Sequence, residues 1–240
     1  RVLSFLVPLL FFIFSLQGQS TDQIAFIAFN ADGSDDFAFV ALGTLSANTT
    51  IYFTDNEILN DSSLSTGEGI LSWYNNSVTA AGTVVIVNNA SSSSSITANI
   101  GVISAVSGNF NLSASGDGLI AYQGPNENQV SHWLSAVENS NNKVGNINST
   151  NLIQNQSYIQ FNKTSSPDGG IYTGVRSGEA SLGEYKVLIK DAINWQEDVS
   201  NGLSILPISS LPFSSSVSSS AQLLLESGNL IIDSISQQGD

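Results

Sequence analysis

The sequence predicts an all-β fold, an antiparallel β-sandwich with one or two short helices. The first observation is the stretch from Gln23 to Glu57, where three short apolar runs are separated by acidic and polar turns. Apolar runs bounded by Gly, Asn and Asp are typical of strands, and three in so short a stretch indicate an antiparallel sheet. The second observation is that this pattern continues along the chain at the spacing expected for a sandwich.

Nine strands are predicted in chain order. They are residues 24–29, 37–42, 51–54, 70–74, 83–87, 101–106, 118–123, 158–161 and 171–175. Several of them are apolar on both faces, which is typical of a strand between two packed layers. Residues 130–137 and 181–193 are predicted as short helices. In the second of these one helical face is apolar, formed by Leu182, Tyr185, Leu188 and Ile189.

The chain is predicted to divide into three parts. Residues 1–20 begin with one basic residue, continue with an apolar run at 2–16 and close with small or polar residues, which is the layout of a secretory signal peptide. The alternative is that this segment is retained and buried in an assembly, because an apolar run of that size does not stay in water. Residues 22–195 are the β-sandwich domain. Residues 196–240 are a Ser-rich linker followed by a terminal apolar strand at 223–232.

Charge and composition exclude several classes of partner. The chain has 20 Asp and Glu against six Lys and Arg, a formal net charge of −14. Nucleic acid and anionic membranes repel such a chain, and the apolar run at 2–16 is too short for a membrane span. The absence of Cys excludes disulfides, thiolate zinc sites and thiol catalysis. Little charge together with abundant Ser, Asn and Thr favours a secreted protein, located extracellularly or at the cell surface.

A series of motifs carries a resemblance to a known family. In order they are FNADGSDDFAFVAL, TIYFTDNE, GEGILSW, AAGTVVIV, GNFNLSASGDGLIAYQG and GIYTGVRSGEAS. This series resembles a domain of secreted proteins from Bacteroidetes and other bacteria, which is distantly similar to the lamin-tail domain, an immunoglobulin-like β-sandwich. The resemblance covers residues 22–195, and the chain departs from the family after residue 196. It implies an Ig-like fold and an extracellular, non-enzymatic module without catalytic residues.

Two acidic clusters lie where one rim of the predicted sheet would hold them. The turn NADGSDD follows the first strand and the sequence DNE follows the third. Their oxygens alternate around Gly33 as in the first half of a calcium loop, so calcium is the one candidate cofactor. The candidate ligands are Asp32, Asp35, Asp36, Asp55 and Glu57. The alternative is an ordinary β-turn, in which Asp and Asn side chains cap their own backbone and Gly33 takes a positive φ.

No catalytic site is predicted. His132 is the only histidine, and the chain lacks the nucleophile elbow that accompanies many Ser-His-Asp triads, so we interpret it as a helix residue beside Trp133. Trp73, Trp133 and Trp195 are interpreted as core aromatics in preference to a sugar-binding platform. A carboxylate pair of the glycosidase kind stays open, because 20 acids allow many pairs.

Eight Asn-x-Ser/Thr sequons are candidate glycosylation sites if the protein is eukaryotic. They lie at Asn48, Asn60, Asn75, Asn89, Asn111, Asn148, Asn155 and Asn162.

Taken together, these features predict a non-enzymatic extracellular module that associates with itself into an oligomer or fibre. The apolar segments at 2–16 and 223–232 would make the contacts by adding a strand to a neighbour's sheet. The alternative is a calcium-dependent adhesin module that binds carbohydrate or another surface.

Overall fold

The computed structural model describes residues 23–152, 157–161, 167–199 and 207–216, and these residues form an all-β, sandwich-like fold with one short α-helix. The predicted fold class is confirmed. The predicted segments at 1–20 and 223–232 lie outside the described residues. The strands are β1 (Ile24–Asn30), β2 (Asp36–Ala41), β3 (Thr50–Thr54), β4 (Ile70–Tyr74), β5 (Val84–Asn88), β6 (Thr97–Ala98), β7 (Val102–Ser107), β8 (Gly118–Gln123), β9 (His132–Glu138), β10 (Tyr158–Gln160), β11 (Gly169–Tyr172) and β12 (Trp195–Asp198).

The strands form two six-stranded sheets. Sheet I has the order β12-β11-β1-β2-β5-β6, and sheet II has the order β10-β9-β8-β3-β4-β7. Neighbouring strands are antiparallel throughout sheet I, and in sheet II β10 alone runs parallel to its neighbour, β9. The nine predicted strands all appear with small shifts at their ends. The chain therefore follows the apolar runs and turns closely.

An aromatic cluster joins the two sheets. Phe53 of sheet II has its ring centroid 6.1 Å from Phe26, 4.9 Å from Phe37 and 5.4 Å from Phe39, all three of sheet I. Trp73 meets Phe39 edge to face at 5.4 Å. All five rings are fully buried. Edge-to-face and tilted pairs at these distances add to the free energy gained by removing the rings from water.

The central strands of sheet I are covered on both faces. Every residue of β1 and β2 is buried, so the strict alternation of a half-exposed strand is absent from their sequences. One face packs on sheet II. The helix α1 (Tyr185–Ile189) also contacts β1 and contributes Tyr185 and Ile189 to the same core.

A second, smaller core lies on the outer face of sheet II. It contains Tyr122 of β8 and Trp133 of β9, which the loops on either side cover with Ile58, Val144 and Leu152. The ring of Tyr122 stacks on that of Tyr52, with centroids 5.4 Å apart. The polar loop at 138–151 is therefore packed on the sheet through a few apolar side chains.

One predicted helix is wrong, because residues 132–138 form β9. Val130, Trp133, Leu134 and Val137 match the spacing of a helical face, and a strand buried on both faces produces the same apolar positions. The second predicted helix, at 181–193, is present in shortened form as 3-10 turns at Leu182–Glu184 and Ala192–Asn194 on either side of α1. Strands β6 and β12 were not predicted.

The packed part of the chain extends beyond residue 195, the end of the predicted sandwich domain. Strand β12 continues to Asp198, and residues 207–216, which we call the C-terminal strap, pack on the domain. Phe213 of the strap is 3% exposed, and its ring lies 5.8 Å from that of Tyr172 and 5.1 Å from that of Tyr185. Residues 207–216, which belong to the predicted Ser-rich linker, are thus packed on the sandwich.

Hydrogen bonds hold the strap along its length. Arg176 donates through Nη1 to the carbonyl oxygens of Ser209 (3.0 Å) and Leu211 (2.8 Å), and its guanidinium lies 5.1 Å from the centroid of Phe213. The Phe213 N–H donates to the Gly82 carbonyl at 2.8 Å, and the Tyr185 hydroxyl donates to the Ser214 carbonyl at 2.8 Å.

Replacing Phe213 with Ala is expected to lower the free energy of unfolding by about 3–5 kcal/mol, because it removes a buried ring and leaves a cavity. Urea unfolding followed by circular dichroism measures this change. Leu211→Ala in the same strap is the matched control, since Leu211 is 68% exposed and its loss should change stability by about 0.5 kcal/mol or less. Equal effects of the two substitutions would show that the strap does not pack as described.

Candidate functional site

The acidic turn between β1 and β2 is shaped by its own side chains. Asp32 accepts the Gly33 N–H at 3.0 Å, and Asn30 accepts the Asp32 N–H at 3.3 Å. Gly33 has a φ of 75°, and Asp35 follows with a φ of 56°. These are the features of the turn interpretation, in which Asp and Asn cap the backbone and Gly takes a positive φ.

Asp35 and Asp55 point away from solvent and accept hydrogen bonds from one distant segment. The N–H of Leu112 donates to Asp35 at 2.7 Å, and the N–H of Asn111 donates to Asp55 at 2.8 Å. The other oxygen of Asp55 accepts the Gly69 N–H at 2.7 Å. Two of the predicted acids therefore tie the loop after β7 to the turns after β1 and β3.

Asp117 completes this arrangement. It accepts the N–H of Ser113 at 2.8 Å and the N–H of Gly118 at 2.8 Å. Residues 111–113 thus donate three consecutive N–H groups to three carboxylates from different turns. Residues 109–113 form no strand, so these carboxylates replace the partners that a sheet would supply.

Burial and mutual repulsion raise the pKa values of these acids. Desolvation is the main cause for Asp35, whose pKa rises to about 7, and the charges of Asp36, Asp117 and Asp55 add to it, while the bond from Leu112 opposes it. Asp117 has its pKa raised to about 6, and the pKa of Asp55 is also raised, in both cases mainly by burial. Desolvation raises the pKa of Glu68 to about 7, and the negative charges of Asp55 and Asp117 add to this rise. We call Asp35, Asp55, Glu68 and Asp117 the acid cluster.

The predicted calcium ligands do not form one site. Asp36 lies on β2 and accepts the Asn89 N–H at 3.0 Å, while Glu57 is exposed and accepts the Ser65 hydroxyl at 2.7 Å. Asp32 bonds within its own turn, to the Gly33 N–H. Of the five predicted ligands, Asp35 and Asp55 belong to the acid cluster and the other three do not. Among the residues that the structure describes, no group of three or more Asp, Glu or His side chains is arranged to hold a metal ion. Calcium binding stays a prediction without a ligand set in this geometry.

Sequence reasoning missed Glu138, which organises a second loop. This buried carboxylate accepts the N–H groups of Lys143 (2.7 Å) and Val144 (3.0 Å), and the Tyr158 hydroxyl and the Gln160 amide also donate to it. Beside it is a polar cleft of about 440 Å³. Its lining includes the amide side chains of Asn142, Asn146, Asn148 and Gln160 and the phenol ring of Tyr158. A signal for Glu138 existed, because a charged residue ends an otherwise apolar strand.

The aromatic residues and the histidine take structural positions. Trp73, Trp133 and Trp195 are at most 7% exposed, which confirms their interpretation as core residues and excludes a surface platform for sugars. His132 is the first residue of β9, next to Gln123 of β8, and not a residue of a helix.

The sequons divide into exposed and buried positions. Asn48, Asn60, Asn111 and Asn148 are exposed, and Asn89 is half-buried. Asn75 is 2% exposed, and its Nδ2, the atom that would carry a glycan, donates to the Thr79 hydroxyl at 3.1 Å. Its Oδ1 accepts the Thr49 N–H at 2.8 Å, so this geometry leaves no room for a glycan at Asn75. Asn155 and Asn162 lie outside the described residues.

The sheet edges differ in how well they are protected. The edge strands β6 and β10 have two and three residues, and β12 has four with two acids, Glu197 and Asp198. Short length and charge are common means of blocking edge-to-edge pairing. Strand β7 is longer, with six residues, and has the uncharged sequence VISAVS. Among the strands that the structure describes it pairs with β4 alone, with a register shift at Val106, and five of its six residues are exposed.

The entry to β7 is built to hold it in place. The indole N–H of Trp73 donates to the Ile100 carbonyl at 2.7 Å. Gly101 follows with a φ of 76°, and a Cβ there would lie 2.5 Å from the indole nitrogen, so only glycine fits. Strand β7 is therefore a positioned element with an open edge, and not a frayed end.

Comparison of the chain with protein-family models, curated proteins and solved structures gave no match. The resemblance to the lamin-tail-like domain accordingly stays a prediction. Within the described residues, none of the helices has the length and apolar character needed to cross a membrane.

The acid cluster makes stability depend on pH. Because the folded state raises the pKa of Asp35 from 3.8 to about 7, it binds protons more tightly than the unfolded chain, and stability falls as the pH rises through that interval. We expect a melting temperature lower at pH 8 than at pH 5 by on the order of 5 °C. Scanning calorimetry across this range measures it.

Asp35→Asn separates the acid cluster from the general charge of the chain. The amide keeps an oxygen for the Leu112 N–H and removes one buried charge, so we expect a higher melting temperature at pH 8 and a weaker pH dependence. Asp61→Asn, at an exposed loop acid, is the control and should keep the wild-type slope. An unchanged slope in Asp35→Asn would show that the cluster does not titrate as described.

Proposed function

We propose that this domain is a non-enzymatic structural module that works outside the cell, as a subunit of a surface or secreted fibre or other assembly. The observation that carries the proposal is the open edge of β7, which is long, firmly positioned and free of charge. An edge of this kind can pair with a strand of another chain, and monomeric proteins usually protect such edges.

The use of the acids supports a structural role. Catalytic carboxylates need at least one oxygen free to meet a substrate. Both oxygens of Asp55, Asp117 and Glu138 accept hydrogen bonds from other groups of the protein. By accepting these hydrogen bonds, the three carboxylates fix the surrounding loops against the sheets. Rigid loops of this kind are consistent with a structural subunit.

The terminal apolar segments supply a second kind of contact. Residues 2–16 and 223–232 are apolar, and the chain has few charges to keep such segments in water. By strand addition, either segment would link one subunit to the sheet of the next. Low surface charge with many Ser, Asn and Thr side chains fits an extracellular setting for such an assembly, with glycans on the exposed sequons in a eukaryotic host.

The test is the oligomeric state of the secreted 240-residue chain. We expect it in the culture medium as oligomers or filaments, measured by sedimentation velocity and negative-stain electron microscopy. The double variant Leu224→Asp with Ile231→Asp should give shorter assemblies, because charge in the segment at 223–232 opposes its insertion. A wild-type chain that stays monomeric at all concentrations reached would overturn the proposal.

A second candidate function, an adhesin module that binds carbohydrate with or without calcium, has one observation in its favour. The polar cleft beside Glu138 presents several amide groups and a tyrosine ring, which are groups that bind sugar hydroxyls. Binding to a glycan array, with and without calcium, tests it. Asn146→Ala should abolish binding, and Asn128→Ala, at an exposed residue away from this cleft, should not. No bound glycan under either condition would remove this candidate.

A further inference from the structure

The acids of this chain are distributed unevenly. The 48 residues from Gly69 to Gly116 contain no Asp, Glu, Lys, Arg or His, and all 20 acids lie outside them. This stretch builds β4, β5, β6 and β7. Strands β5 and β6 end sheet I on the side where β4 and β7 end sheet II, and β6 contacts β7. The strands that form one side of the sandwich therefore carry no charged side chain.

This uncharged side determines which partner can approach. Two copies of a chain with a net charge of −14 repel each other over most of their surfaces. The repulsion is smallest where neither copy carries charge near the contact, because charges beyond about 8 Å are largely screened at physiological salt. Away from the Ser107 end of β7, the side formed by β4 to β7 meets this condition, and β7 provides a strand edge there for pairing.

The two ends of β7 differ in their surroundings. At the Ser107 end, Glu68 and Glu127 line one small cleft with Ser107, and the rest of the acid cluster lies nearby. At the Val102 end the neighbours are Tyr74, which pairs with Val102, and Asn48, which accepts the Tyr74 hydroxyl. A parallel pair of β7 strands would place two acidic ends together. An antiparallel pair places the acidic end of one copy against the neutral end of the other.

We propose that β7 is the acceptor edge of the assembly and pairs antiparallel with β7 of a second copy. The two sheets II would then form one continuous twelve-stranded sheet across a two-fold axis. Pairing about Ser104 places Val102 of one copy opposite Ser107 of the other, with Val106, the extra residue at the register shift of β7 against β4, left out of the ladder. This contact rests on the proposed function and deepens it, because a two-fold contact closes on itself and leaves the terminal segments to join the resulting dimers.

A charged residue on the exposed face of β7 tests the contact. Val102→Glu should raise the dissociation constant of the dimer at least about tenfold, since it puts a carboxylate between two uncharged strands and close to the acidic end of the other copy. Sedimentation equilibrium of the full chain measures the constant. Val187→Glu on α1 is the matched control, because Val102 and Val187 are 62% and 60% exposed, and it should leave the constant unchanged. Equal constants for wild type and Val102→Glu would overturn the proposal.

Single cysteines test the orientation, because the chain has no Cys of its own. Under mild oxidation a mixture of Val102→Cys and Ser107→Cys chains should give mostly the mixed disulfide dimer, as antiparallel strands require. A parallel pair would instead give dimers of Val102→Cys alone, which would overturn the antiparallel arrangement. Val187→Cys is the control and should stay uncrosslinked.

The outcomes separate this inference from the proposed function. Loss of dimers in Val102→Glu but not in Leu224→Asp with Ile231→Asp supports both. Loss of dimers only in the terminal double variant overturns the role of β7 and keeps a strand-addition assembly. A wild-type chain without any self-association overturns both proposals.

Discussion

Phe53 lies against Phe26, Phe37 and Phe39 of the facing sheet, and this contact between two layers is the one on which the rest of the molecule depends. The chain has no disulfide to assist it. Burial of apolar side chains is therefore the main force that holds the two sheets together, and it requires the central strands to be apolar on both faces. The strap closes the same core at one end, where Phe213 fills the space beside Tyr172 and Tyr185.

The sandwich leaves irregular segments at its other end whose backbone groups have no strand partner. Carboxylates from three turns supply partners for Asn111, Leu112 and Ser113, and Glu138 does the same for Lys143 and Val144. Bringing several acids together raises their pKa values, so the loops are held by groups that repel one another. The stability of these loops therefore depends on pH.

The concentration of charge in the loops leaves one set of strands uncharged. The strands from β4 to β7 are left without any charged side chain, although the chain as a whole is strongly acidic. A neutral edge on an acidic molecule favours association at that edge and disfavours it elsewhere. The acids that hold the loops by hydrogen bonds thus also leave the strands β4 to β7 uncharged. In this way the internal hydrogen bonding bears on which surfaces two copies of the chain would bring together.

The sequence by itself determined the strands, because short apolar runs between Gly, Asn and Asp leave the chain few alternatives, and it determined the uncharged stretch at 69–116. Tertiary structure decided the rest. Residues 130–137 match a helix by spacing, and only their place between two packed layers makes them a strand. Phe213 carries no periodic signal in a Ser-rich stretch, yet a cavity between Tyr172 and Tyr185 receives it. Asp117 and Glu68 join Asp35 and Asp55 only because the two sheets bring four separate turns to one end. Local pattern governs which residues form strands, whereas contacts between distant residues decide which side chains meet.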